Sequence, residues 1–116
     1  MLSDVDALAF GDVVLVPFPF TDQSSAKRRP AVVISNPAYV AGGPDVILMP
    51  VTSQLRGEAR PGDVVVTDWE SAGLLKPSAV KPVVATLERS LVLRRLGSLQ
   101  EQDREALRRR LAELIG

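Results

Sequence analysis

Lys27-Arg28-Arg29 is a run of three positive charges in a chain whose 14 basic and 14 acidic residues cancel. It closes a polar stretch and runs through Pro30 straight into the apolar residues 31–35. Proline restricts the residue before it to extended backbone, so Arg29 stands at a fixed strand entrance. Such a cluster has two uses: a solvated run that guards a strand against aggregation, or a clamp for phosphate. A second group is Thr52-Ser53-Gln54, two hydroxyls and an amide directly after the apolar run 46–51. These side chains either cap a turn or hold a polar ligand. Ser35, at the end of its own apolar run, has the same two readings.

Much other chemistry is excluded by composition. The chain has no histidine and no cysteine. It therefore lacks the commonest general acid–base residue near neutral pH, the commonest transition-metal ligand, and any thiolate nucleophile or disulfide. Catalysis must run on Arg, Lys, Asp, Glu, Ser, Thr or backbone groups, with neither metal nor cofactor expected. No window approaches 18 consecutive apolar residues, and the N-terminus carries acids where a signal peptide carries Lys or Arg. The expectation is a soluble, cytoplasmic protein with no membrane partner.

At 116 residues, 46% of them hydrophobic and only 4% aromatic, the chain suits one domain, 1–116, with a core of Val, Leu, Ile and Ala. Residues 12–18, 31–35, 46–51 and 63–67 are short runs rich in β-branched residues, bounded by Gly, Pro, Asn or Ser. They predict strands of a small antiparallel sheet or barrel. A loop or helical turn is expected over 70–80, with further strands at 83–87 and 92–96. Ser98-Leu99-Gln100-Glu101 matches a capping box, and Leu107, Leu111, Leu114 and Ile115 form an apolar stripe beyond it. A C-terminal helix packed on the sheet follows. The long irregular stretches 18–29 and 53–62 are where function is expected.

Taken in order, these pieces resemble the MazF/PemK family of toxin ribonucleases from bacterial toxin-antitoxin systems. The resemblance rests on Gly11-Asp12-Val13-Val14, on Arg28-Arg29-Pro30-Ala31-Val32-Val33-Ile34-Ser35-Asn36, and on Pro50-Val51-Thr52-Ser53-Gln54. It continues through Gly73-Leu74-Leu75-Lys76-Pro77-Ser78 and Val80-Lys81 to Leu96-Gly97-Ser98-Leu99. It implies a mainly β, SH3-like small antiparallel barrel with a C-terminal α-helix, the fold shared by CcdB and PemK. It also implies a homodimer, metal-independent cleavage of single-stranded RNA at short sequences, and neutralisation by a cognate antitoxin whose flexible, acidic segment covers the groove.

In the family's terms, Arg29 and Thr52 are catalytic. Lys27, Arg28, Ser35, Ser53, Gln54, Phe18 and Lys81 then fall to substrate binding. Phe18, Phe20 and Trp69 are the aromatic platforms on which bases could stack, although Phe18 equally suits the core and Trp69 suits packing or a dimer contact. Many relatives carry a Glu just before the basic cluster, whereas this chain has Gln23-Ser24-Ser25, leaving Asp22 as the nearest acid. No residue is thereby assigned as general base. Two other readings share the barrel: a gyrase poison of the CcdB type, and a silent SH3-like nucleic-acid-binding module. The CcdB mode relies on a C-terminal tryptophan motif, and this chain ends Leu114-Ile115-Gly116.

Overall fold

The computed structural model describes residues 7–18, 27–55 and 61–116. Phe20 and Asp22 lie outside the described residues, as does most of the 18–29 stretch. Seven strands form one antiparallel sheet: β1 (Asp12–Phe18), β2 (Lys27–Val33), β3 (Asp45–Thr52), β4 (Val64–Val66), β5 (Ser78–Val80), β6 (Ala85–Glu88) and β7 (Arg94–Ser98). Their order is β4-β5-β3-β2-β1-β7, with β6 paired to β3. One edge of β3 meets β2, while β6 takes Asp45 to Leu48 and β5 takes Val51 and Thr52. The mainly β, barrel-like architecture expected is present as a curled antiparallel half-barrel, and the helix α2 (Glu101–Ile115) packs on it.

Both faces of the sheet are buried, which explains why its strands read as continuous apolar runs rather than as an alternation. Val13, Val32, Met49 and Val51 point into one core, shared with Leu99 and Leu107 of the C-terminal region. Their strand neighbours Val14, Val16, Ala31, Val33, Val46 and Leu48 point into a second core, closed by Val40, Leu87 and Val92. Val40 comes from a short helix, α1 (Pro37–Gly42), absent from the sequence expectation. Asn36 accepts from the Tyr39 N–H at 2.8 Å and Pro37 opens the helix, an N-cap followed by a first-turn proline.

Two elements differ from expectation at the C-terminal end. Ser98 is no helix cap: it pairs with Asp12 as the last residue of β7, and Gln100 takes the N-cap position without a side-chain bond. The apolar stripe also stops early. Leu107 is fully buried, but Leu114 and Ile115 are exposed. The helix instead buries Asp103, whose Oδ1 accepts from the N–H and Oγ1 of Thr67 at 3.0 and 2.7 Å. Its Oδ2 accepts from the Asp68 N–H at 3.0 Å. A buried carboxylate with three donors is satisfied, and here it anchors the turn that follows β4.

That turn runs to Gly73, where the backbone of residues 72 and 73 lies directly on that of Leu96 and Gly97 in β7. A Cβ on Gly97 would overlap the carbonyl of Ala72, and a Cβ on Gly73 would overlap that of Leu96. Gly97→Ala is therefore expected to cost about 1–3 kcal/mol of stability as overpacking against rigid backbone. Urea denaturation checks this, and an unchanged midpoint contradicts the close approach. The contact matters for position, because it fixes the following segment, Leu74 to Pro77, beside β1 and β2.

Candidate nucleic-acid interface

The basic cluster belongs to a strand rather than to a loop. β2 starts at Lys27, so Lys27, Arg28 and Arg29 pair with Phe18, Pro17 and Val16 of β1. The ladder between β2 and β3 ends at the pair Ala31 and Pro50. Pro30, next in line, has no N–H to extend it. Continued two residues beyond its last pair, that register would place Arg29 opposite Thr52 on one face of the sheet. The two residues that the family pattern marks as catalytic therefore lie on adjacent strands, just beyond the end of the β2–β3 ladder.

Alternation along the strand turns Arg28 and Pro30 to the opposite face, together with Leu15, Val51 and Ser53. There a groove of about 330 Å³ opens. One wall is the strand face formed by Arg28, Pro30 and Leu15, with Arg29 also bordering the space. The segment 73–76 supplies Leu74, Leu75 and Lys76, and β7 supplies Arg94 and Leu96. Ser53 and Ser78 also border the groove, the Ser78 hydroxyl donating to the Lys76 carbonyl at 2.8 Å. Leu75 is 92% exposed, an unusual position for leucine and one that leaves it free to contact a ligand.

The electrostatics of this space are one-sided. No Asp or Glu borders it, while Arg28, Arg29, Lys76 and Arg94 do. Among the described residues none of these four makes an ion pair. Several other cations among the described residues are matched: Lys81 to Asp63 at 3.2 Å, Arg95 to Asp12 at 3.4 Å, and Arg104, Arg108 and Arg110 to glutamates of α2. Four cations with no ion pair among the described residues therefore border one groove of a protein of zero net charge. Low-dielectric walls lined by one sign of charge focus the field on an anionic ligand.

The other residues singled out by sequence are distributed unevenly. Ser53 and Gln54 are exposed beside Thr52, and the Gln54 N–H donates to Thr52 Oγ1 at 3.1 Å. The Thr52 hydroxyl caps the start of its loop and keeps its own O–H available to donate. Ser35 is not brought to the groove: it is 5% exposed, and its hydroxyl accepts from the Ile47 N–H at 3.1 Å. Lys81 borders no part of the groove and is held by Asp63. Trp69 packs against the first core, in keeping with its reading as a packing residue. Arg94, Lys76 and Leu75 join the groove without having been given a role from the sequence, although Leu75 and Lys76 lie in a motif of the resemblance, because the β1–β7 pairing and the Gly73–Gly97 contact bring them there.

Among the described residues there is no group of three or more carboxylates placed to hold a metal ion, and no helix long and apolar enough to cross a membrane.

Comparison with solved structures returns the same architecture. The chain is similar to MazF in a MazE–MazF crystal structure from Deinococcus radiodurans, with 25% identity, a TM-score of 0.75, and coverage of 95% of this chain and 97% of that one. It is also similar to an endoribonuclease in complex with its cognate antitoxin from a mycobacterial species, at 18% identity and TM-score 0.73 over 95% and 94% of the two chains. The Mycobacterium tuberculosis toxin MazF-mt6 matches at 21% identity and TM-score 0.72, over 90% of this chain and 95% of that one. No curated protein sequence matches. The family model for the PemK-like, MazF-like toxin of type II toxin-antitoxin systems matches residues 9–115. With nearly the whole chain inside that match, the protein belongs to the MazF/PemK family of type II toxins.

Proposed function

We propose that the protein is an endoribonuclease that cuts single-stranded RNA at short sequences, without a metal ion, and is held inactive by a cognate antitoxin. The observation that carries the proposal is the groove bordered by four cations without an ion pair among the described residues and by no carboxylate, with Arg29 on its border and Thr52 between the bordering residues Val51 and Ser53. Membership of the toxin family and the mycobacterial endoribonuclease among the similar structures support it.

The chemistry needs only what the chain contains. The 2′-oxygen of one nucleotide attacks the adjacent phosphorus, forming the 2′-O–P bond while the P–O5′ bond breaks. The 2′-hydroxyl loses its proton and the departing 5′-oxygen gains one. The ends are a 2′,3′-cyclic phosphate and a 5′-hydroxyl. Arg29 presents a planar fork of donors to the non-bridging oxygens as charge develops on them, and its permanent charge makes it a stabiliser rather than a proton donor. Thr52 donates its O–H to the same phosphate, and Ser53 and Gln54 contact sugar or base edge. Lys27 and Arg28 bind neighbouring phosphates. A homodimer would bring two such cation rows to one shared surface, and an acidic antitoxin segment would compete with RNA for them.

Incubation of the purified protein with a long single-stranded RNA in excess EDTA tests the proposal. The expected result is cutting at a small set of sites, with 2′,3′-cyclic phosphate ends on mapping. Intact RNA under these conditions, together with gyrase inhibition, would return the CcdB reading; intact RNA that is nevertheless bound would return the silent module.

A further inference from the structure

We propose that Arg94 on β7, with Lys76 beside it, binds a second RNA phosphate on the face of the sheet that carries Arg28, and that the leucines between them and β2 seat the intervening nucleotide. The proposal rests on the RNA-cutting function above and adds to it a second phosphate position.

Its basis is the register across three strands. Leu15 of β1 pairs with Pro30 on one side and with Arg94 on the other. Directly paired residues share a face, so Pro30, Leu15 and Arg94 form a row across the sheet. With strands about 4.8 Å apart, the backbone at Arg94 lies on the order of 10 Å from β2. That separation suits two phosphates of one strand better than a double grip on one. Along β7, Leu96 shares the face of Arg94, and both border the groove.

The neighbouring arginine provides an internal contrast. Arg95 is tied to Asp12 at 3.4 Å, whereas Arg94, one residue earlier, has no acidic partner among the described residues. A break in register between Val13 and Val14 accompanies this division, as bulges do where a strand re-aims its side chains. Lys76 sits on the segment that Gly73 and Gly97 press against β7 and also has no acidic partner among the described residues. The floor between the cations is aliphatic: Leu15, Leu74, Leu75 and Leu96. An unmatched cation at the far side of an apolar floor is the arrangement expected for one nucleotide, with its base on the leucines and its phosphate on the guanidinium.

The test uses an RNA oligonucleotide spanning a mapped cut site, made non-cleavable by a 2′-deoxy nucleotide at that site, in fluorescence anisotropy across a salt series. Arg94→Gln is expected to weaken binding several-fold and to reduce the slope of log affinity against log salt by about 0.7, the value for one lost single-strand contact. Arg94→Lys keeps the charge and should keep the slope. In cleavage assays Arg94→Gln should raise KM and leave kcat close to wild type, a split that general loosening of the fold would not give. Thermal melting checks the fold, and should Arg94→Gln melt early, Lys76→Gln at the exposed segment must give the same loss of slope. If wild type cuts RNA and both glutamine variants keep its slope and KM, the second phosphate position is wrong while the nuclease function stands. If wild type does not cut RNA, the function itself fails. If Arg94→Gln leaves RNA binding intact but relieves inhibition by an acidic peptide, the groove is a protein-binding surface and the proposal is overturned.

Discussion

Arg29→Ala is expected to lower the rate of RNA cleavage by roughly a hundred- to a thousandfold, about 2.7–4 kcal/mol of transition-state stabilisation, the range found when one preorganised donor is removed from a developing oxyanion. Folding should be unaffected, because Arg29 is exposed at the entrance of β2 and forms no ion pair among the described residues. Its backbone is already set by β1 on one side and by Pro30 after it. Thr52→Ala should cost less, since the hydroxyl positions the phosphate and also caps its own loop through the Gln54 N–H. If Arg29 and Thr52 act on one phosphate from adjacent strands, the double variant should lose less than the product of the two single losses. Single-turnover cleavage of a mapped site measures all three variants. A fully active Arg29→Ala protein with a wild-type melting curve would remove Arg29 from the mechanism.

Arg29 and Thr52, the residues proposed as catalytic, could be picked out from the sequence because the signals that mark them are local. Pro30 fixes Arg29, an apolar strand ends at Thr52, and the order of short motifs gave the family. The face of the sheet was not legible. Lys27, Arg28 and Arg29 look like three equivalent charges until the pairing with β1 shows that alternate members point to opposite sides. The groove was invisible for a related reason. Its far wall depends on two glycines 24 positions apart that let the backbones of residues 72–73 and 96–97 touch.

Some misses have equally physical causes. Residues 78–80 form β5 although only three residues long, because β3 and β4 supply partners on both sides. Asp103 falls on the buried side of α2, where a hydrophobic pattern anticipates an apolar residue, and the donors of Thr67 and Asp68 make that burial favourable. Ser98-x-x-Glu101 has the spacing of a capping box, yet the pairing of Gly97 and Ser98 with β1 holds those residues in the sheet and moves the helix start to Glu101. Ser35 carries a polar group next to the cluster motif, but the backbone of Ile47 takes up its hydroxyl inside the fold.

The substrate's own hydroxyl supplies the second large effect and the most direct test. In the mechanism proposed above the nucleophile is the RNA 2′-hydroxyl, which requires neither histidine nor cysteine, and the chain has neither. Two oligonucleotides identical but for one atom, ribose or 2′-deoxyribose at the mapped cut site, should bind alike, because phosphates and base edges carry the binding. Single-turnover cleavage in EDTA should then give a 2′,3′-cyclic phosphate from the ribose substrate and no product from the deoxy substrate. Cleavage of the deoxy substrate at a comparable rate would mean that water attacks the phosphorus, and would contradict the assignment of Arg29 and Thr52 to a 2′-hydroxyl transfer.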